Sequence, residues 1–302
     1  FYPIYEVPSM DFEVDARYNV EKKTLSMRFL SDLDDSVKKE QKVIMLRKFV
    51  EAYGIWISEQ DSLKETLETE YVYQAQKHIE NCSFSLERMR HGIEYLEKNE
   101  VAWDAFQLAN RAMYMQRIHT MKQSEMAEKY NAIYPDNEAL EKWFDELNYK
   151  NEKDNCFWRP FQLAFILLNI VSISDSSVSN KERDLVDLIW FPTGGGKTEA
   201  YLGLTAYTIF FRRMMYGEEC DGTTVMMRYT LRLLTAQQFT RAATLICACE
   251  KIRIDCLARH PQYKKYHING GEISIGLWIG SKHIPNTLAE AKDHISKFDG
   301  AT

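Results

Sequence analysis

Residues 187–203 read Asp187-Leu-Ile-Trp-Phe-Pro-Thr-Gly-Gly-Gly-Lys-Thr-Glu-Ala-Tyr-Leu-Gly203. A short apolar run leads into a glycine-rich turn, and residues that favour a helix follow it. A triphosphate needs many hydrogen-bond donors and little bulk around it. Thr193, Gly194, Gly195 and Gly196 can offer successive backbone N–H groups, and the missing side chains let phosphates approach. A helix beginning just after them turns its positive dipole end toward the anion. Lys197 is placed to reach the outer phosphates as a point charge, and the Thr198 hydroxyl can ligate Mg²⁺. The segment Phe191–Thr198 matches the pattern G-x-x-x-x-G-K-[ST] except at its first position, where Phe191 stands in place of glycine. It predicts ATP and Mg²⁺ as cofactors, with Lys197 and Thr198 as the catalytic pair and Thr198 as the metal ligand.

Working outward, the pattern downstream predicts alternating strands and helices. Asp187–Phe191 reads as a strand, Thr198–Met215 as a helix, Thr223–Arg228 as a second strand, 231–259 as a long helix and Ile273–Ile279 as a third strand. Strands alternating with helices predict an α/β fold built on a parallel sheet. Upstream, Phe12–Val20 and Thr24–Leu30 show partial apolar alternation and read as short strands. From Asp35 to about Lys150 the period is helical. Cys82, Leu86, Met89, Ile93 and Leu96 share one face, and Trp103, Phe106, Asn110 and Met113 share another. Such stripes are core positions and carry no chemistry of their own. The polar stretch Asn151–Asn155 marks the boundary between two domains, 1–150 and 151–302.

Composition narrows the class. Apolar residues make up 45% and charged residues 27% of the 302, as in soluble globular proteins. No run of eighteen or more apolar residues occurs, so no membrane span and no membrane partner are expected. The chain starts with Phe1 and shows no basic-then-apolar leader. The six cysteines form no Cys-x-x-Cys pair. Cys247, Cys249 and Cys256 read as small core residues of a helix in a reducing cytoplasm. The net charge of −6 excludes a protein that coats nucleic acid by overall basicity. Arg228–Lys265 nevertheless holds eight Lys or Arg against two acids, a local +6.

Flanking segments resemble superfamily 2 helicases. Arg159-Pro-Phe-Gln162 resembles the R-P-x-Q element whose Gln reads the adenine edge. Pro192–Glu199 resembles motif I, and Tyr229-Thr-Leu-Arg-Leu-Leu-Thr-Ala-Gln237 resembles motif Ia, with Tyr229 where Pro is usual and Arg232 one place late. Ile275–Ser281 sits where a later motif is expected. More narrowly, Trp158–Phe165, Trp190–Gly203 and Met227–Phe239 are similar to DrmA, the helicase subunit of the DISARM anti-phage defence system, with a weaker echo at Phe106–Met113. The resemblance implies a RecA-like P-loop lobe over 151–302, a mostly helical region before it, and ATP-driven movement on DNA. It implies nucleotide contacts from Arg159, Gln162 and Glu199 beside the glycine turn. Nucleic-acid contacts are implied for Thr230, Arg232, Gln237 and Gly280, with Arg228 and Arg241 as further backbone-gripping arginines. The implied partners are DNA and a second defence subunit resembling DrmB. No hydrophobic run ending in Asp-Glu-x-His or Asp-Glu-x-Asp is found before Thr302, so motif II is missing and the lobe is expected to be incomplete and inefficient alone. Two other readings stay open: a nucleotide switch that orders a partner surface without moving on DNA, and an N-terminal module for docking a partner.

Overall fold

The computed structural model describes residues 13–34, 36–129, 156–177, 179–190, 194–220, 222–229, 232–258, 266–268, 270–278 and 287–299. The predicted boundary at 151–155 lies outside them. Eight α-helices occur among the described residues: α1 (Met27–Leu30), α2 (Lys39–Lys64), α3 (Thr69–Lys98), α4 (Glu100–Lys129), α5 (Pro160–Ser174), α6 (Lys197–Tyr216), α7 (Arg232–Leu257) and α8 (Leu288–Asp299).

α4 is the centre. Trp103, Phe106, Asn110 and Met113 are all buried, as their spacing predicts. Around them Ala102, Ala105, Ala109 and Ala112 are buried too, and these small residues let neighbouring helices come close. α4 packs on α6 and α7 and on α1, so its apolar surface is covered on several sides. Each fully buried Phe or Met contributes about 1.5–3 kcal/mol relative to exposure. The α3 stripe behaves similarly: Leu86, Met89, Ile93 and Leu96 are buried, and Cys82 is half-buried at the outer end. α3 packs on α5 and α2. Its approach to α5 requires Gly92, where an added Cβ would stand 2.0 Å from the Leu167 carbonyl oxygen.

The start of the described chain is bound to α5's leading segment. Met27 N–H donates to Cys156 O at 2.9 Å and Trp158 N–H to Leu25 O at 2.8 Å, forming an isolated antiparallel bridge between Ser26 and Phe157. Trp158 then donates its indole N–H to Asn110 Oδ1 of α4 at 2.7 Å. One apolar core runs from Leu25 to Ile273.

The expected α/β fold with a RecA-like lobe is overturned: no strand or sheet forms among the described residues. Thr24–Leu30 folds into a 3-10 turn (Lys22–Leu25) and α1, and Ala16–Tyr18 is another 3-10 turn. The described parts of the three downstream segments read as strands, 187–190, 223–228 and 273–278, are chain without ladder pairing. Apolar alternation reports a chain that can be extended, but a sheet exists only where a second backbone lies about 4.8 Å away to take its hydrogen bonds. The faces of α6 and α7 that an α/β fold would lay on a sheet pack against α4 instead. The helices themselves match their predictions, α6 to within a residue at each end and α7 to within two, which is the usual scatter of helix ends. Cys249 and Cys256 are buried as expected, but Cys247 is exposed.

Candidate functional site

The glycine turn ends at the N-terminus of α6. Gly194 and Gly196 hold φ of +81° and +84°, a left-handed backbone that residues with a Cβ enter only with strain. Gly196 is the N-cap of α6, and Lys197 and Thr198 are its first two residues, both half-buried. The helix dipole and its first N–H groups therefore face the turn.

The turn is held from outside by α5's leading edge. Arg159 Nη1 donates to Gly195 O at 2.5 Å, and Gln162 Nε2 donates to Gly196 O at 2.7 Å. The Gln162 Oε1 accepts from the Arg159 backbone N–H at 2.8 Å, so both ends of its carboxamide are engaged. Gln162 is buried. A Cβ on Gly196 would stand 2.7 Å from Gln162 Nε2, so the close packing here needs glycine. The two carbonyls thus point to fixed donors, and an anion would meet the N–H side of the turn.

Glu199, one turn into α6, forms an ion pair with Arg241 of α7. Burial holds the Arg241 guanidinium below its ordinary pKa, and the neighbouring positive charge of Arg117 on α4 adds to this. α4, α6 and α7 therefore meet beside the turn. The donor set fits a polyphosphate: glycines whose left-handed backbone strains any residue with a Cβ, a helix N-terminus, Lys197, and the Thr198 hydroxyl as an oxygen ligand of the kind Mg²⁺ takes.

The chain is 34% identical over 306 aligned residues to the DISARM protein DrmA of Bacillus paralicheniformis, a match covering 97% of this chain and 24% of that protein. The chain is a relative of DrmA. It spans about a quarter of the length of this curated relative. No family model matches it. The similarity to DrmA takes in the N-terminal helices, where the sequence motifs offered only the echo at Phe106–Met113.

The other residues singled out, Thr193 by the cradle reading and the rest by the helicase-like motifs, are less gathered. Thr193, Thr230 and Gly280 lie outside the described residues. Arg232 opens α7, and Gln237 is exposed on its second turn. Arg228 is exposed. Within 228–265 the two acids are each paired, Lys251 with Asp255 and Arg253 with Glu250, and Glu199 from α6 pairs with Arg241, which takes one charge off the local excess. Away from the turn, α6 and residues 225–229 enclose a groove of about 380 Å³, lined by Tyr201, Leu204, Thr208, Met226 and Tyr229 among others.

One feature escaped sequence reasoning. Arg88, buried in α3, makes a two-point bond to Asp187, Nη1 to Oδ1 at 2.5 Å and Nη2 to Oδ2 at 2.9 Å. Its Nε also donates to Glu182 at 3.1 Å. A charged residue beside the core stripe, four residues before the close-contact Gly92, was the available signal. Its partner 99 positions away was not readable.

Among the described residues no helix is long and apolar enough to cross a membrane.

Proposed function

We propose that this chain is the ATP-binding part of a DISARM-type subunit that acts in anti-phage defence as a DNA-dependent ATPase, a helicase or translocase. The observation that carries the reading is the glycine turn at the head of α6, whose carbonyls are tied to Arg159 and Gln162 and whose last residue, Gly196, is the N-cap of the helix that Lys197 opens. The relation to DrmA supplies the defence context.

In this proposal Thr193, Gly194, Gly195 and Gly196 cradle the β- and γ-phosphates with backbone donors, and Lys197 adds a point charge. Thr198 holds Mg²⁺, which when bound neutralises phosphate charge. Arg159 and Gln162 keep the turn open by holding its carbonyls. Gln162 can read an adenine edge only by giving up one of its two bonds. Glu199, through Arg241, links the phosphate site to α7, and Thr230, Arg232, Gln237 and Gly280 make the DNA contacts. Such contacts go to the backbone, ignore sequence and weaken with salt. A second defence subunit resembling DrmB is the protein partner, and the cytoplasm is the compartment.

ATP turnover by the full-length polypeptide, with and without DNA at two salt concentrations, tests this. Turnover stimulated by DNA and fading with salt is expected. Turnover indifferent to DNA would replace the translocase by a nucleotide switch, and no ATP binding at all would remove the cradle.

A further inference from the structure

The glycine turn is braced on its downstream side by Arg159 and Gln162. Upstream in the sequence lies the segment 185–190, with residues 191–193 between it and the turn outside the described residues. Val186, Leu188 and Trp190 are apolar yet almost fully exposed, so packing does little to fix them. Asp187 and Ile189 are the half-buried positions between them. Asp187 is gripped by both terminal nitrogens of Arg88, whose side chain is only 4% exposed, while the Arg88 Nε holds Glu182 in the preceding 3-10 turn (Lys181–Asp184). The planar fork fixes the direction of the carboxylate as well as its distance, which an ammonium would not do. α3 in turn is locked to α5 by the close contact at Gly92, and α5 begins with the residues that hold the turn's carbonyls. Asp187 and the carbonyls of the glycine turn are thus both held from one pair of packed helices, α3 and α5.

We propose that Arg88 is a positioning residue for the glycine turn: through Asp187 it sets where the chain enters the turn and so pre-organises the N–H groups that receive phosphate. The proposal rests on the reading of the turn as a phosphate site. It makes the N-terminal helical region part of the nucleotide site, acting through Asp187, ten residues before Lys197.

The test is a double-mutant cycle on the full-length protein with Arg88→Lys, Asp187→Asn and the two together. ATP affinity is read by calorimetry, and thermal unfolding is followed with and without ATP. Each single variant is expected to bind ATP about tenfold more weakly, the scale of coupling for residues in direct contact, and the double variant no more weakly than either single one. The rise in Tm produced by ATP should shrink in all three. A brace with no bearing on the turn would lower the Tm of the free protein and leave ATP affinity and the ATP-induced rise unchanged, and that result overturns the proposal. Where Arg88→Lys fails to fold, Asp187→Asn alone decides, because it keeps the side chain's shape and a hydrogen-bonding oxygen. Lys197→Ala separates the two ideas. If wild type binds ATP and Lys197→Ala does not, normal binding by the Arg88 and Asp187 variants sinks this inference alone. If wild type does not bind ATP, the phosphate site and this inference fall together.

Discussion

α4 and the segment 185–190 are both rich in apolar residues, and the fold treats them in opposite ways. Trp103 and Phe106 of α4 are 3% and 0% exposed, while Val186 and Trp190 are 97% and 90% exposed. A helix satisfies its own backbone and needs only a neighbouring face to bury its stripe. A segment without that local pairing needs a second backbone, and what is seen to hold 185–190 is the grip of Arg88 of α3 on Asp187. Stability in this molecule therefore resides in the helix pairs, and the candidate chemistry sits where regular structure stops, at the head of α6. Substitutions should divide along that line.

The largest effect is expected at Lys197. Lys197→Ala should abolish measurable ATP binding, because the turn loses its point charge on the outer phosphates. Unchanged turnover in this variant would break the assignment of chemistry to the turn. Gly92→Ala should act on the fold instead. Its Cβ would meet the Leu167 carbonyl at 2.0 Å, and the forced separation of α3 and α5 should cost about 3 kcal/mol in denaturant unfolding. A neutral result would mean that α3 and α5 do not need glycine at position 92 to pack.

A third effect belongs to the helical half alone. His119 of α4 is buried, and desolvation lowers its pKa from 6.5 to about 4. The unfolded chain thus binds a proton between these values that the folded chain does not. Stability from this group is full above pH 6.5 and is lost as pH falls toward 4, by about 2 kcal/mol between roughly pH 7 and pH 5. Comparing the pH dependence of unfolding in wild type and His119→Gln isolates it, and identical slopes would exclude the effect.

Gln162→Ala sharpens the comparison at the turn. With its amide engaged by Gly196 O and the Arg159 N–H, its loss should weaken ATP and CTP alike. Selective loss of ATP would show instead that the side chain turns to read the base. The smallest effect is expected at Val186→Ser, within about 0.5 kcal/mol of wild type by unfolding, since nothing packs on a side chain this exposed. A larger loss would place a hidden contact on the segment.

Much of this is legible in the sequence. The stripes on α3 and α4, the span of α6 and its glycine-rich N-terminus follow from local periodicity and from what glycine permits, both properties of neighbouring residues. Arg159 and Gln162 were singled out beside the turn, but the sequence assigned Gln162 to a base and did not foresee its bond to Gly196 O. Arg241 was read as an arginine on the DNA side, and the fold pairs it with Glu199. Arg88 went unnoticed.

The strands were misread because alternation in 187–191, 223–228 and 273–279 describes single segments, whereas a sheet is a relation between segments. The amino-acid sequence by itself determined where helices run, which of their faces are apolar and where the glycine turn falls, since each depends on residues within a few positions of one another. The tertiary structure decided that α4 covers α6 and α7, that Arg88 meets Asp187, and that two carbonyls of the glycine turn are held by α5's leading edge. Those outcomes depend on which distant surfaces win the competition for burial and for hydrogen bonds, and no local pattern records them.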